Sequence, residues 1–202
     1  MKSFIRPTSR KPSKGSSLAE VTVSLALISL VLVSMQQVLH HATRYLRNTT
    51  LTNELQQASV ISMGRLVTEI LESNSGAVRG DSVNHRYVSF ASLRDNNDEI
   101  TFADDQLLWH AFVGYYIDTT AEEPKLCRKR QSMGTPSPGV PTIPASLDEA
   151  FWQNYASARQ IIAQRVYYLD VTASTNIVIN LGVRSKDGKY VVTLQTKLKA
   201  RN

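Results

Sequence analysis

The sequence predicts an α+β protein in which one long N-terminal helix packs on an antiparallel β-sheet. Three observations carry that expectation. An apolar run from Leu18 to Leu39 holds a single charge, Glu20. It continues to about Ser73 without a proline, with apolar residues recurring at helical steps. From Asp81 onward the spacing shifts to period two, and the chain closes on two alternating runs joined by Asp187-Gly188.

Residues 1–15 carry Lys2, Arg6, Arg10, Lys11 and Lys14, two prolines and no acid. They show no apolar periodicity and stand outside the fold as a flexible cytosolic leader. The whole chain has 202 residues and a net charge of +6. Because five of its 23 Lys and Arg lie in this leader, the remaining 18 face 17 acids. The basic excess therefore reads as a topology signal, since positive segments stay cytoplasmic. Nucleic acid is not indicated as a partner.

Residues 16–39 are expected to form a transmembrane helix, about 33 Å from Leu18 to Leu39 and long enough for a bilayer core. A carboxylate inside such a segment costs roughly 2.5–3.5 kcal/mol, so Glu20 needs a partner. A cleaved signal peptide does not fit, because the apolar run is too long and no A-x-A site follows it. Residues 40–75 continue as an amphipathic helix. Val38, Ala42, Tyr45, Leu46, Leu51, Leu55, Ala58, Ser62, Leu66 and Ile70 are expected on its buried face. Asn48-Thr49-Thr50 is a place for a bend, and Ser73-Asn74-Ser75-Gly76 is the stop. His40 and His41 read as an interfacial flank, having no third ligand at metal spacing.

Residues 76–202 read as a globular antiparallel-sheet domain. Tyr87, Ser89, Ala91 and Leu93 alternate with Val88 and Phe90, and Glu99–Phe102 is expected to return as their partner across the turn 94–98. Leu107–Asp118 is the strongest strand, dense in aromatic and β-branched residues. Leu126–Arg130 is a short strand or edge. Four prolines, Pro136, Pro138, Pro141 and Pro144, mark 133–145 as an extended, solvent-exposed loop. Ser146 and Glu149 match a capping box opening a helix through Phe151 and Tyr155 to Ile162. Near Ala163–Val171 the chain turns extended, with Val166, Tyr168 and Asp170 set against Tyr167 and Leu169. Ile177, Ile179 and Leu181 then face a returning strand, Tyr190–Lys199.

The N-terminal pattern resembles the leader and first helix of type IV prepilins and pseudopilins. In that family a basic leader ends in Gly, a prepilin peptidase cuts after it, and the fifth mature residue is Glu before an apolar stretch. Gly15 stands at the last leader position, Ser16 at the new N-terminus, and Glu20 at the fifth place from Ser16. Ser16 replaces the family's usual Phe, whose amine is methylated. No Pro lies between Pro12 and Pro124, whereas major pilins often kink this helix with one. The aromatic strand YYID followed by KLCRKR, and the closing Arg201-Asn202, are similar to W- and J-type minor pilins.

The resemblance implies a pilin-like fold and a minor structural subunit of a type IV pilus, with Gly15 and Ser16 as the cleavage site. It implies that Glu20 sets helix register during assembly, and that Ser16 is the site of N-terminal modification. Its implied partners are sister minor and major pilins, the prepilin peptidase, the inner-membrane assembly platform and membrane lipid. The chain would cross the inner membrane once, N-terminus cytoplasmic, and then enter the filament. A type II secretion pseudopilin is the close alternative. A signal-anchored extracytoplasmic binding or enzymatic domain is the other, explaining all but the Gly15–Glu20 spacing.

The sequence holds none of the catalytic or phosphate-binding motifs sought, and no cofactor or metal is expected. Asp104-Asp105 and Glu122-Glu123 read as turn residues and His110 as a satisfied strand histidine. Cys127, the single cysteine, has no internal disulfide partner and reads as a buried thiol.

Overall fold

The computed structural model describes residues 17–120, 122–174 and 176–199. The chain divides into two compact units, Met1–Thr49 and Thr50–Asn202. Helix α1, Leu18–Leu71, begins in the first and ends in the second, and remains helical through Asn48-Thr49-Thr50. Its 54 residues match the expected span to within two residues at each end.

In the first unit, none of α1's side chains is buried by other described residues. In the second unit α1 buries Leu55, Ser59, Ser62, Met63, Leu66 and Ile70, which recur at steps of three or four and so share one face. The buried face therefore starts later than expected, since Val38, Tyr45 and Leu46 are exposed. Ser59 and Ser62 enter the core because their hydroxyls donate to the backbone oxygens of Gln56 and Ala58, at 2.8 and 2.6 Å.

After α1, Asn74 Oδ1 accepts from the Gly76 amide at 2.9 Å and sets a 3₁₀ turn at Ser75–Ala77. The strands are β1 Val78–Gly80, β2 Tyr87–Ser92, β3 Phe102–Ala103, β4 Gln106–Leu107 and β5 Trp109–Asp118. Then come β6 Lys125–Ser137, helix α2 Glu149–Asn154, β7 Gln160–Gln164, β8 Val166–Ala173, β9 Asn176–Arg184 and β10 Val191–Lys199. One antiparallel sheet has the order β1-β2-β5-β6-β7, a second β10-β9-β8, and β3 with β4 forms a small hairpin.

The α1 face meets both larger sheets in one core. Leu66 and Ile70 cluster with Val88, Phe90, Val113 and Leu126 of the first sheet and with Leu169, Ile179 and Leu181 of the second. The opposite face of the first sheet is covered too. Tyr87, Tyr116 and Cys127 pack there against Ile143, Leu147 and Trp152. Both faces being covered, all six residues of β2 are buried.

Several expectations need correction. The partner of β2 is β5, aligned from Tyr87↔Tyr116 to Ser92↔Ala111; the segment 99–102 meets the preceding chain at the single bridge Arg94↔Ile100, and its Phe102 pairs instead with Leu107 of β4. The Leu126–Arg130 segment is no edge: β6 lies between β5 and β7 and runs on through Pro136. It accommodates that proline in an irregular stretch where Ser132 and Ser137 pair with Ala111 and Trp109, and Gly134 adopts φ +77°. Within 133–145, Ile143 is buried as part of the sheet's cover. The cap of α2 is Asp148, not Ser146: its carboxylate accepts from the Phe151 amide at 2.8 Å. That makes Glu149 the first helical residue, and the helix stops at Asn154 while Ile162 joins β7. In β8 a bulge between Val166 and Tyr168 shifts the phase, so Val166, Leu169 and Val171 face the core and Asp170 does not. The final hairpin pairs Val191↔Arg184 through Lys199↔Asn176, with Gly188 at φ +71° in its turn.

Trp152 fixes α2 to the first sheet. Its Nε1 donates to Ser89 Oγ at 2.7 Å, and that hydroxyl donates to Leu147 O at 2.9 Å. The indole lies on Gly114, where a Cβ would stand 2.1 Å from Trp152 Cε2. Gly114→Ala should displace the indole and destabilise the protein by about 1–3 kcal/mol. A lowered melting temperature with red-shifted tryptophan emission is expected, and unchanged melting would show that the ring does not dock there.

Candidate functional site at the start of the helix

Gly15 and Ser16 lie outside the described residues. Glu20 is described, exposed, in the first turn of α1. Its Oε2 accepts from the Ser17 backbone amide at 3.0 Å, while Ser17 Oγ accepts from the Glu20 amide at 3.3 Å. This reciprocal pair is a capping box, and it satisfies two donors that a helix start leaves unpaired. Glu20 thus has a local partner in its own chain. The pattern Ser17-x-x-Glu20 was present in the sequence, but the apolar run drew attention to the acid's cost and away from its cap.

Behind that turn the surface is apolar. Leu18, Leu25, Leu30 and Val31 are 58–85% exposed, far more than isolated surface residues would need. Three hydroxyls in the run are turned inward to the helix: Thr22 Oγ1 donates to Ala19 O, Ser29 Oγ to Leu25 O and Ser34 Oγ to Leu30 O, at 2.7–2.9 Å. Such back-bonding satisfies these three donors within the helix itself. Past the run, His40 and His41 are exposed neighbours with ring centroids 6.3 Å apart.

The other chemistry-bearing residues do not gather around this turn. His110 Nε2 meets Thr101 Oγ1 at 2.5 Å. Asp104 and Asp105, at φ +49° and +59°, form the two-residue turn between β3 and β4. Glu122 pairs with Lys186 at 2.9 Å, and Glu123 with Arg165 at 3.1 Å. Cys127 is buried, and burial pushes its thiol pKa up, so it is a poor nucleophile. Among the described residues no group of three or more His, Cys, Asp and Glu is arranged to hold a metal ion.

Two buried charges escaped the sequence reading. Lys129 Nζ donates to Gln153 O at 3.1 Å and Tyr155 O at 2.8 Å, closing the end of α2. Asp118, at the end of β5, accepts from the Thr120 hydroxyl at 2.6 Å and amide at 2.9 Å, and pairs with Arg159. Their distant partners Gln153 and Arg159 are 24 and 41 residues away in sequence, and only the Asp118–Thr120 bonds are local.

These elements define an α+β chain that has, among the described residues, one helix long and apolar enough to cross a membrane. No family model matches the chain, and no curated protein or solved structure matches it.

The Thr120 hydroxyl first, and then its amide and Arg159, hold the Asp118 pKa below its ordinary value, against the opposing effect of burial. A carboxyl depressed by folding contributes stability that is present above its unfolded pKa, about 3.9. That contribution is lost as pH falls through the lower folded value. On acidification below about pH 4, the melting temperature of the parent should fall more steeply than that of Asp118→Asn. Parallel curves would mean that Asp118 contributes nothing to acid sensitivity.

Proposed function

We propose that this chain is a minor structural subunit of a type IV pilus, most like the W- and J-type minor pilins. In this reading a prepilin peptidase cuts between Gly15 and Ser16. The apolar part of α1 holds the subunit in the inner membrane, with the sheet unit outside, until the filament withdraws it. Prepilin peptidase, sister minor and major pilins, the assembly platform and lipid are its partners, and it performs no catalysis. The observation that carries the reading is Glu20: an acid at the head of a helix whose following surface is apolar and uncovered. Its spacing from Gly15 has no purpose in a plain anchor. A type II secretion pseudopilin would share every one of these features.

The mechanism follows from charge and geometry. Once Gly15 is removed, the α-amine of Ser16 becomes a cation, and the carboxylate of Glu20 is its natural partner on a neighbouring subunit. A helix dipole favours an acid in the first turn by about 0.3–1 kcal/mol, and this is too small to offset the insertion cost. An intersubunit pair offsets the remainder and sets the axial register of one helix against the next.

The capping box makes the charge separable from the cap. Gln at the third helical position can replace Glu in such a box, so Glu20→Gln keeps the cap and loses the charge. Glu20→Gln and Glu20→Ala should both insert, yet neither should enter sheared filaments, whereas Glu20→Asp should assemble in part. Filaments containing Glu20→Gln at the parental level would reduce the acid to a helix cap and favour the anchored-domain reading.

Cleavage is tested separately. Mass spectrometry of membrane-extracted protein should find Ser16 at the N-terminus, and Gly15→Leu should leave a precursor heavier by residues 1–15. An intact Met1 end in the parent would remove the prepilin reading.

A further inference from the structure

The arginines of β6 face a groove that the proposed function does not use. It has a volume of about 610 Å³ and lies between the helix residues Gly64–Glu72, the loop 94–98 and β6. Four arginines line it: Arg65, Arg94, Arg128 and Arg130. Arg94 is fully engaged, donating to both carboxylate oxygens of Glu72 at 2.6 and 2.7 Å. Arg65 donates to Glu69 at 3.4 Å and to Gln160 at 2.9 Å.

The other two are not. Arg128 donates only through Nε, to Glu69 Oε2 at 2.9 Å, leaving the two outer nitrogens of its fork without a partner among the described residues. Arg130 donates through Nη2 to the Arg94 backbone oxygen, and its Nε is buried with no partner. That Nε has almost no accessible surface, so the donors open to a bound acceptor are the unpaired outer nitrogens of Arg128 and Nη1 of Arg130, which keep accessible surface. Burial first, and the Arg128 cation second, hold the Arg130 pKa below the ordinary arginine value, with Asp98, Asp95 and Glu69 opposing them. Arg128 and Arg130 are two residues apart on one strand, so they project from the same face.

We propose that this groove receives a single carboxylate side chain from a polypeptide partner, held between the guanidiniums of Arg128 and Arg130. Guanidinium forks match carboxylates with paired N–H donors, and such charge-assisted bonds are the strong ones. The partner is a peptide segment because the groove is several times the size of one carboxylate and has room for the residues on either side. It is not a nucleic acid, because Glu69, Glu72, Asp95 and Asp98 line the same groove and would repel a run of phosphates. Four arginines against four acids select one isolated acid in a segment of mixed or neutral charge. This inference goes beyond the filament reading and does not rest on it.

The test uses the full chain in detergent micelles, labelled with ¹⁵N, following the arginine Nε–H signals. The probe is the peptide acetyl-Ser-Gly-Glu-Gly-Ser-amide, with its Gln counterpart, sodium acetate and a short oligothymidylate as comparisons. The Glu peptide should move the Arg128 and Arg130 signals saturably while the Gln peptide leaves them in place. Arg130→Gln, with an otherwise unchanged amide spectrum, should weaken that binding about tenfold or more. Equal responses to the Glu and Gln peptides would overturn the proposal, a result the parent protein gives without any variant. Acetate saturating at the peptide's concentration would overturn it in favour of a small-anion site, and tighter binding of the oligothymidylate in favour of nucleic acid. Filament incorporation plays no part in this readout, so its failure and that of the pilus reading are told apart.

Discussion

The sheet unit depends on one helical face. Leu55, Leu66 and Ile70 leave almost no surface to solvent, and burying each contributes roughly 1.5–3 kcal/mol. Their position matters more than their sum. Both larger sheets lie against this face, and the inner residues of β8 and β9 reach the first sheet through the same cluster. Two sheets of five and three strands each need their apolar faces covered. The helix supplies cover for both, which is why small hydroxyls at Ser59 and Ser62 are admitted there only with their protons bonded back to the helix.

The first sheet makes a second demand, because its strands are apolar on both faces. The chain meets it with a segment poor in regular structure. Ile143, Leu147 and Trp152 form a thin layer over Tyr87, Tyr116 and Cys127, and α2 is only six residues long. So short a helix has little stability of its own. Its ends are closed by groups from elsewhere or nearby, Asp148 at one and Lys129 at the other. Gly114 is the flat place on which the indole rests, and here the absence of a side chain is the structural requirement.

The long helix, the strong central strand and the closing hairpin were legible in the sequence because each is coded by local periodicity or by a turn dipeptide. What was not legible depends on distant partners. The β2–β5 pairing skips the intervening hairpin, so no local rule favours it over the neighbour at 99–102. The β8 bulge adds one residue and reverses the faces that strict alternation assigns. Pro136 suggested a loop, yet β6 continues past it where pairing with β5 is irregular. At the candidate site the cap Ser17-x-x-Glu20 is a local pattern, while Arg128 and Arg130 gained meaning only when Glu69 on α1 was placed opposite them.

Glu20 shows how one residue can answer to two environments. In water the capping box is sufficient reason for an acid at this position, since Ser17 and Glu20 each satisfy the other's amide. In a bilayer it is not, because one accepted hydrogen bond leaves most of the carboxylate's charge uncompensated. A neutral glutamine would cap equally well and insert at lower cost. The charge is therefore the feature that capping leaves unexplained, and a charge kept against that cost needs a cation that arrives after insertion. In the proposed reading the α-amine of Ser16, four residues upstream, meets that condition, because it would be absent until the leader is cut. On the proposed filament reading, cutting and assembly are ordered by electrostatics: an unprocessed chain lacks the cation, and a processed chain acquires it beside the acid it would pair with on the next subunit.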